Sequence, residues 1–342
     1  MINVLVVDDS AFMRQVFKRR INQESDMKTV DIARNGQQAL ELIEKHDPDV
    51  VTLDIEMPVK NGLETLKQIR ETEKPLSVIM VSALDNKQTV IRALELGAFD
   101  FIPKPSGSIS LDVEKIMDQL LTKIRAAARA ENRTQKIKTL TAQYPKQVEY
   151  TGEKFPVIAI GSSSGGPRAL KELISVFPAE FPGAFIIVQH MPAGFTSSLA
   201  HHLDLASCIK VREAAENDRI KPGTALLAPG DYHLEINQHG RVKLNQQQPE
   251  WGVRPCVDYM MIPVARVFRD RVIGVILTGM GHDGARGMKE IKEYNGYGIV
   301  EDKSTALVYG MPSSTIDKGA YDDILPLDQI GFKIIEIIER RS

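Results

Sequence analysis

Residues 2–9, Ile-Asn-Val-Leu-Val-Val-Asp-Asp, join a short apolar run to two carboxylates, and similar runs recur along the first part of the chain. The later β-branched runs lie at 29–33, 49–53, 77–81 and 99–103. Amphipathic segments such as 37–45 separate them. This alternation is typical of βαβ units around a parallel sheet. Residues 1–120 are therefore predicted to form a doubly wound α/β domain of five strands and five helices.

The second half of the chain resumes this alternation. Four apolar runs are predicted to be buried strands: 157–160, 184–189, 272–277 and 298–301. Helical patterns such as 168–176 lie between them, which predicts a second doubly wound, Rossmann-like α/β domain over residues 155–342. Within it, the run 224–230 followed by 233–236 predicts a β-hairpin inserted among the crossovers.

Residues 121–154 differ in composition from both predicted domains. They are rich in Ala, Arg, Lys and Gln and lack a sustained apolar face, so they are predicted to be an interdomain linker. The first part of the linker is expected to continue a helix. Residues 144–154, which begin with Tyr-Pro, are expected to be extended coil.

The composition is that of an ordinary globular protein, with 342 residues, 43% of them hydrophobic, and a formal net charge of −2. Residues 155–342 carry 20 lysines and arginines against 22 aspartates and glutamates, so we expect no nucleic-acid partner. No apolar run approaches the ~20 residues of a membrane helix, and the start lacks the basic residues of a signal peptide. We therefore expect a cytoplasmic protein without direct membrane insertion. Cys208 and Cys256 are predicted to be reduced, small core residues.

Polar residues follow four of the predicted strands in the first domain. They are Asp8 and Asp9 after the first strand, Asp54 after the third, Ser82 after the fourth and Lys104 after the fifth. Because ligands bind at the carboxyl ends of parallel strands, three carboxylates there predict a hard divalent cation such as Mg²⁺. Asp54 could then accept a phosphoryl group whose oxygens Ser82 and Lys104 bind. Taken singly, each aspartate could instead be a turn former.

At these positions residues 1–120 resemble a response-regulator receiver domain, which has a flavodoxin-like fold. The resemblance implies that Asp54 is the phosphorylation site and that Ser82 and Lys104 form the switch pair. It also implies a magnesium site built from the following groups: the carboxylates of Asp8, Asp9 and Asp54 and the backbone carbonyl of Glu56. Phe101 occupies the position of the family's switching aromatic, and a plain core phenylalanine is the alternative interpretation.

A second candidate site begins at residues 160–167, Ile-Gly-Ser-Ser-Ser-Gly-Gly-Pro, between a predicted strand and a predicted helix. The segment fits G-x-S-x-G with Ser163 at its centre, and the small residues permit the sharp turn that exposes the hydroxyl. The start of the helix would offer N–H groups to a developing oxyanion. The same turn, rich in glycine and serine, could equally bind a phosphate.

A serine nucleophile needs a general base, and His190 is favoured because it directly follows an apolar strand. Asp283 follows another strand and would orient the imidazole from the same edge of the sheet. His282 is an alternative base, and Asp302 is an alternative carboxylate. Four of the remaining histidines are predicted to be solvated: His46, His201, His202 and His239. His233, in the predicted hairpin, is predicted to be structural.

The second domain resembles the catalytic domain of chemotaxis protein-glutamate methylesterases over essentially all of residues 155–340. The segments that carry the resemblance are 160–167, 188–192, 228–231, 254–255 and 277–285. The chain order Ser, His, Asp differs from that of α/β-hydrolases, so that fold is not implied. Ser162 and Ser164 stand where the family commonly has alanine and threonine, but the register still selects Ser163. The resemblance also implies that the Met280 backbone N–H helps to bind the oxyanion.

The resemblance implies a function. Ser163 would attack receptor glutamate methyl esters through an acyl-enzyme, without a cofactor at the hydrolase site, and the same route would deamidate glutamines. The implied partners are methyl-accepting chemotaxis receptors as substrates and a chemotaxis histidine kinase as phosphodonor, with phosphorylation activating the hydrolase. One alternative is a response regulator with a DNA-binding output domain, which the charge disfavours. Another is a non-catalytic adaptor, which would need no triad at strand ends.

Overall fold

The computed structural model describes residues 1–72, 76–83, 86–104, 111–130, 148 and 154–341. The chain divides into two compact units, Met1–Thr134 and Gln135–Ser342. Among the described helices, none combines the length and the apolar character needed to cross a bilayer.

The described part of the first unit is a five-stranded parallel sheet flanked by five helices. The strands are β1 (Ile2–Val7), β2 (Met27–Ala33), β3 (Val50–Asp54), β4 (Ser77–Ser82) and β5 (Asp100–Pro103). The helices are α1 (Ala11–Asn22), α2 (Gly36–His46), α3 (Gly62–Glu71), α4 (Lys87–Glu95) and α5 (Leu111–Arg129). All strands pair in parallel in the order β2-β1-β3-β4-β5, so the predicted doubly wound domain is confirmed.

The sequence explains how α3 is placed against the end of β3. Every residue of β3 is buried, as expected for a central parallel strand with both faces covered. Asn61 caps α3 in a capping box with Glu64, which satisfies backbone N–H groups at the helix start. A Cβ on Gly62 would lie 2.1 Å from the carbonyl oxygen of Asp54, so only glycine allows the helix to begin this close to that residue.

Helix α5 ends at Arg129 and therefore continues into the first part of the predicted linker. The predicted extended coil of residues 144–154 lies outside the described residues, apart from Val148 and Lys154.

The described part of the second unit contains a seven-stranded parallel sheet and a separate hairpin. The strands are β6 (Val157–Ser162), β7 (Ala184–Gln189), β8 (Lys210–Glu213), β9 (Thr224–Leu227), β10 (His233–Ile236), β11 (Val242–Asn245), β12 (Val272–Ile276), β13 (Tyr297–Glu301) and β14 (Asp323–Leu325). The helices are α6 (Gly166–Ile174), α7 (Phe195–Ala206), α8 (Val257–Phe268), α9 (Ala285–Glu293), α10 (Gly310–Asp317) and α11 (Leu327–Arg340). The sheet order is β14-β13-β12-β6-β7-β9-β8, which confirms the second α/β domain.

The predicted hairpin is only partly correct. Residues 224–227 were expected in one of its arms, but they form β9 and pair in parallel with β7 and β8. The hairpin consists of β10 and β11, which pair antiparallel. The continuous apolar run Ala225-Leu226-Leu227 is fully buried, a pattern that fits a strand covered on both faces better than a half-exposed hairpin arm.

The two cysteines are both free thiols in different environments. Cys256 is buried, as predicted. The prediction that Cys208 is a core residue is wrong, because it is exposed. It lies in the short connection between α7 and β8, where its neighbour Ile209 takes the buried position.

Each sheet has a point at which the direction of winding reverses. In the first unit this point lies between β1 and β3, and in the second it lies between β6 and β12. Crevices for ligands form at the carboxyl ends of strands at such switch points. The two candidate sites predicted from the sequence lie at these two places.

Candidate functional site

The second unit brings the three predicted catalytic residues to neighbouring strand ends. Ser163 follows β6, His190 follows β7 on one side of it, and Asp283 lies in the loop after β12 on the other side. Nε2 of His190 is 2.8 Å from Oδ2 of Asp283, and both side chains are largely shielded from solvent. Because Nε2 is occupied, Nδ1 is the ring nitrogen left for another partner.

The Asp283 carboxylate is held by the start of helix α8. It accepts hydrogen bonds from the backbone N–H groups of Val257 (2.6 Å) and Asp258 (3.0 Å), and from the Cys256 thiol (3.0 Å). Burial by itself would raise the pKa of Asp283, but hydrogen bonds from His190, the thiol and an amide keep that pKa below its ordinary value. Hydrogen bonds to a charged group contribute about 1.5–3 kcal/mol each, so the site retains a buried anion.

Three adjacent serines follow or end β6, and their environments differ. Ser162 is fully buried, and its hydroxyl donates to Oε1 of Gln189 at 2.7 Å. Ser164 is also buried. Ser163 is only half-buried, and its hydroxyl makes no hydrogen bond with any described residue. The alignment with G-x-S-x-G, which selects Ser163, therefore identifies the serine with the more accessible side chain.

The backbone around Ser163 is fixed although its hydroxyl is not. The Ser163 N–H donates to the carbonyl of Thr278 at 3.0 Å, and its carbonyl accepts from Nε2 of Gln189 at 2.9 Å. A Cβ on Gly279 would lie 2.9 Å from Cβ of Ser163, so glycine is needed for the loop after β12 to approach this closely. Strand β7 and the loop after β12 thus position the serine from both sides.

The Met280 amide follows Gly279, the residue whose backbone approaches Ser163. Its N–H makes no hydrogen bond with the described part of the chain. The preceding residue is fixed, since Gly279 donates to Val308 at 2.9 Å and accepts from Gly310 and Met311 at 3.0 and 2.9 Å. An unused N–H on a rigid loop next to the serine can stabilise developing negative charge.

The alternative base and carboxylate are placed differently. His282 is exposed, and its ring packs edge-on against Trp251 with a centroid distance of 4.0 Å. The Asp283 carboxylate bonds to His190. Asp302 accepts a hydrogen bond from the backbone N–H of Ser304 at the start of a turn. The geometry therefore favours the pair His190 and Asp283.

The other histidines have separate surroundings. His233 is buried, stacks on Tyr259 at 3.9 Å, and has Nε2 3.2 Å from the carbonyl oxygen of Gln248, which fits a structural role. His46 is half-buried, with Nε2 3.1 Å from Oδ2 of Asp31. The remaining three lie partly or fully in solvent: His201, His202 and His239.

The first unit collects the predicted acidic residues at its own switch point. Carboxylate oxygens of Asp8, Asp9 and Asp54 lie within 4.8 Å of one another. Asp8 and Asp54 are buried, whereas Asp9 is exposed. The Lys104 ammonium lies 2.7 Å from Oδ2 of Asp54 and 3.2 Å from Oδ2 of Asp8. Four of the five predicted groups at this sheet edge therefore meet at one point.

The electrostatics of this cluster suit a divalent cation. Burial raises the pKa of Asp54 to about 6, and the nearby charge of Asp8 adds to the rise while Lys104 opposes it. The Glu56 carbonyl accepts no hydrogen bond from a described residue, so it is available as a further oxygen ligand. A set of three carboxylates and a carbonyl matches the ligands that Mg²⁺ prefers.

The two other predicted switch residues are both buried. The Ser82 hydroxyl at the end of β4 donates to the carbonyl of Ala83 at 2.9 Å. Phe101 is buried within β5, the position that the core interpretation predicts.

Three residues of the second site were not assigned roles from the sequence. Gln189 holds Ser162 and the Ser163 backbone, and Cys256 donates to Asp283. Glu301 is fully buried at the end of β13 and accepts from the Thr278 N–H at 2.7 Å, while burial raises its pKa to about 7. Gln189 and Glu301 are each the polar residue that ends an apolar run, and this pattern could have identified them from the sequence.

Both units of the chain match known protein families. The family model described as CheB methylesterase matches residues 158–334, and the model described as response regulator receiver domain matches residues 4–116. The chain is 43% identical over 346 residues to the protein-glutamate methylesterase/protein-glutamine glutaminase of Pyrococcus abyssi, covering 99% of this chain and 94% of the relative. It is 45% identical over 346 residues to the Thermotoga maritima protein of the same name, covering 98% of each.

A solved structure gives the same result for the second unit. The crystal structure of the Thermotoga maritima CheB methylesterase catalytic domain aligns with a TM-score of 0.52 and 44% sequence identity. The alignment covers 54% of this chain and 99% of that structure. The chain therefore belongs to the protein-glutamate methylesterase/protein-glutamine glutaminase family, with a response-regulator receiver domain followed by a CheB methylesterase domain.

Proposed function

We propose that this protein is a phosphorylation-controlled serine hydrolase that removes methyl groups from glutamate methyl esters of chemoreceptors and deamidates receptor glutamines. The observation that carries the proposal is the buried His190–Asp283 pair, whose two residues follow the strands on either side of the strand that precedes the half-buried Ser163. The proposed partners are methyl-accepting chemotaxis receptors and a chemotaxis histidine kinase, in the cytoplasm. A DNA-binding output domain is not favoured, because the matched output domain is a methylesterase.

The proposed reaction is acyl transfer. Ser163 Oγ attacks the side-chain carbonyl of the esterified glutamate, and Nδ1 of His190 takes the hydroxyl proton. The same nitrogen then protonates the leaving methoxide, so methanol departs and an acyl-serine ester remains. Water, deprotonated by His190, releases glutamate and restores the serine. With a glutamine substrate the leaving group is ammonia.

Asp283 and Met280 would support these steps without taking part in covalent chemistry. The Asp283 carboxylate accepts from Nε2–H, which selects the tautomer with a free Nδ1 and stabilises the imidazolium that forms. The Met280 N–H would donate to the oxyanion of the tetrahedral intermediate. Loss of one such donor typically costs about 10²–10³ in kcat.

The receiver domain would supply the control. Asp54 is the proposed phosphoryl acceptor, with Mg²⁺ held by the carboxylates of Asp8, Asp9 and Asp54 and the carbonyl of Glu56. Bound there, the cation would neutralise charge on the phosphoryl group and the acceptor. Lys104, already 2.7 Å from Asp54, and Ser82 would bind the phosphoryl oxygens, and Phe101 is the proposed switching aromatic.

The domain boundaries remain part of the proposal. We place the receiver domain at residues 1–120, the linker at 121–154 and the catalytic domain at 155–342. The two family models match 4–116 and 158–334, inside these limits.

The proposal can be tested with the full chain and a chemoreceptor that carries labelled methyl esters. The wild-type chain should release labelled methanol, and Ser163→Ala should release methanol only at the background rate. Gln189→Glu would not serve as a control, because Gln189 holds the serine backbone. Ser313→Ala, a half-buried serine in α10, is a suitable control and should keep the wild-type rate. Equal release by the wild type and Ser163→Ala would contradict the proposal.

A further inference from the structure

An exposed tryptophan occupies the tip of a tight turn in the second unit. Trp251 is 50% exposed, with φ of 55°, and Gly252 follows with φ of 77°. The Val253 N–H donates to the Glu250 carbonyl at 3.0 Å and closes the turn. Two consecutive left-handed central residues are typical of a type I′ turn, for which asparagine and glycine are the favoured residues. A bulky side chain in this conformation is strained.

Several charged side chains hold the turn in place. The Arg286 guanidinium pairs with the Glu250 carboxylate, and its Cζ lies 5.5 Å from the centroid of the Trp251 ring. On the other arm, Arg254 donates to the carbonyls of Gln246 and Gln247 at 3.0 and 2.8 Å. The indole is therefore presented to solvent in a prearranged position.

This position is next to the proposed active site. The Trp251 ring packs against His282, which lies between the Met280 amide and Asp283 in the loop after β12. Arg286 also donates to Oδ2 of Asp258 at 2.9 Å, and the Asp258 N–H donates to Asp283 at 3.0 Å. The turn is thus tied to the residues that surround the triad carboxylate.

We infer that Trp251 is a substrate-binding residue, and that its indole contacts the receptor segment flanking the glutamate under attack. The inference rests on the proposed function. The substrate class is a folded protein segment whose reacting side chain ends in a neutral methyl ester. Such a segment offers aliphatic surface around the ester, and a rigid, exposed indole covers apolar surface with little loss of conformational entropy. Tryptophan is also among the residues that most often dominate binding at protein interfaces.

Docking through Trp251 predicts different behaviour for large and small substrates. A small ester such as p-nitrophenyl acetate carries no flanking segment and needs only the triad and the oxyanion donor. A methylated receptor would need the indole as well. Comparison of the two substrates therefore separates docking from damage to the catalytic residues.

The experiment compares Trp251→Ala with the wild type in the full chain, with phosphodonor present. KM for the methylated receptor should rise about 30-fold, the ratio that ~2 kcal/mol of lost binding gives, while kcat changes little. Hydrolysis of p-nitrophenyl acetate should stay at the wild-type rate, and Trp251→Phe should recover much of the lost affinity. The matched control is Leu205→Ala, because Leu205 is 73% exposed but lies at the end of α7, away from the carboxyl ends of the strands.

Three outcomes would overturn the inference. An unchanged KM for the receptor would show that the indole does not dock it. Equal losses on both substrates would show a structural role for the turn. An equal effect of Leu205→Ala would show that any exposed apolar side chain matters. Failure of the proposed function is distinguishable, because the wild-type chain itself would then release no methanol from the receptor.

Discussion

Nε2 of His190 lies 2.8 Å from Oδ2 of Asp283, although the two residues are 93 positions apart in the sequence. They meet because β7 and β12, the strands that precede them, flank β6 in one parallel sheet. The amides of Val257 and Asp258 bind the same carboxylate, so it cannot turn away from the imidazole. In the proposed mechanism, this pairing keeps the proton on Nε2 and leaves Nδ1 for Ser163.

The first prediction concerns this carboxylate. Asp283→Asn should lower kcat/KM for methylated receptor by about 10⁴, because an amide can offer its NH₂ group to Nε2 and favour the wrong tautomer. Methanol release measures the effect, and circular dichroism checks that the variant is folded. Asp302→Asn, at another strand end, should keep the wild-type rate. An Asp283→Asn enzyme within tenfold of the wild type would rule out this role.

The second prediction distinguishes the three adjacent serines. A fluorophosphonate probe should label the wild type, Ser162→Ala and Ser164→Ala, but not Ser163→Ala, because only Ser163 has an accessible hydroxyl. Ser162→Ala should instead lower the free energy of unfolding by about 1–2 kcal/mol, since it removes a buried hydrogen bond to Gln189. Peptide mapping of the labelled site measures the first effect and denaturant titration the second. Label on any serine other than Ser163 would show that the register is wrong.

The third prediction concerns the acidic site of the receiver domain. Uptake of phosphate from acetyl phosphate should require Asp54 and stop when EDTA removes divalent cations. Asp9→Ala should raise the Mg²⁺ concentration needed for half-maximal uptake, because the variant loses one of three clustered carboxylates. Asp31→Asn is a control at a carboxylate that pairs with His46. Phosphate incorporation into Asp54→Asn would place the acceptor elsewhere.

The fourth prediction uses the buried Glu301. Burial raises its pKa from 4.5 to about 7, so the native protein holds this proton at pH values where the unfolded chain has lost it. Since the native state binds more protons between these pKa values, its stability falls as pH rises from about 4.5 to about 7. Glu301→Gln cannot lose this proton. Its stability relative to the wild type should therefore grow by up to about 3 kcal/mol over this range.

Denaturant titration of the catalytic domain at about pH 5 and about pH 8 measures this difference. A Glu301→Gln stability difference that does not depend on pH would show that Glu301 is ionised throughout the range.

The strand ends could be predicted from the sequence because they depend on local patterns. Apolar runs locate the strands, and parallel strands place Asp54, Ser163 and His190 at carboxyl ends. Some residues whose role depends on tertiary packing were not identified from the sequence. Cys256 bonds to Asp283 only because α8 begins beside the loop after β12.

Errors in the prediction have the same origin. Residues 224–227 were assigned to a hairpin because a second short strand-like run, 233–236, follows closely in the sequence. Their buried position between β7 and β8 instead places them in the parallel sheet. Cys208 was predicted as a core residue from its type, yet its place in a connection exposes it. The only local sequence signal of the turn at Trp251 is the glycine that follows it, Gly252. The position of the Trp251 ring near the loop of Asp283 depends on tertiary contacts with Arg286 and His282.

The most direct test of the central claim is the rate of methanol release from one methylated chemoreceptor, measured with and without acetyl phosphate and Mg²⁺. The account predicts that the phosphodonor raises the rate for the wild-type chain and leaves Asp54→Asn at the unstimulated rate, while Ser163→Ala stays at background under both conditions. A wild-type rate that the phosphodonor does not change, or stimulation that persists in Asp54→Asn, would contradict control of the hydrolase by phosphorylation of Asp54.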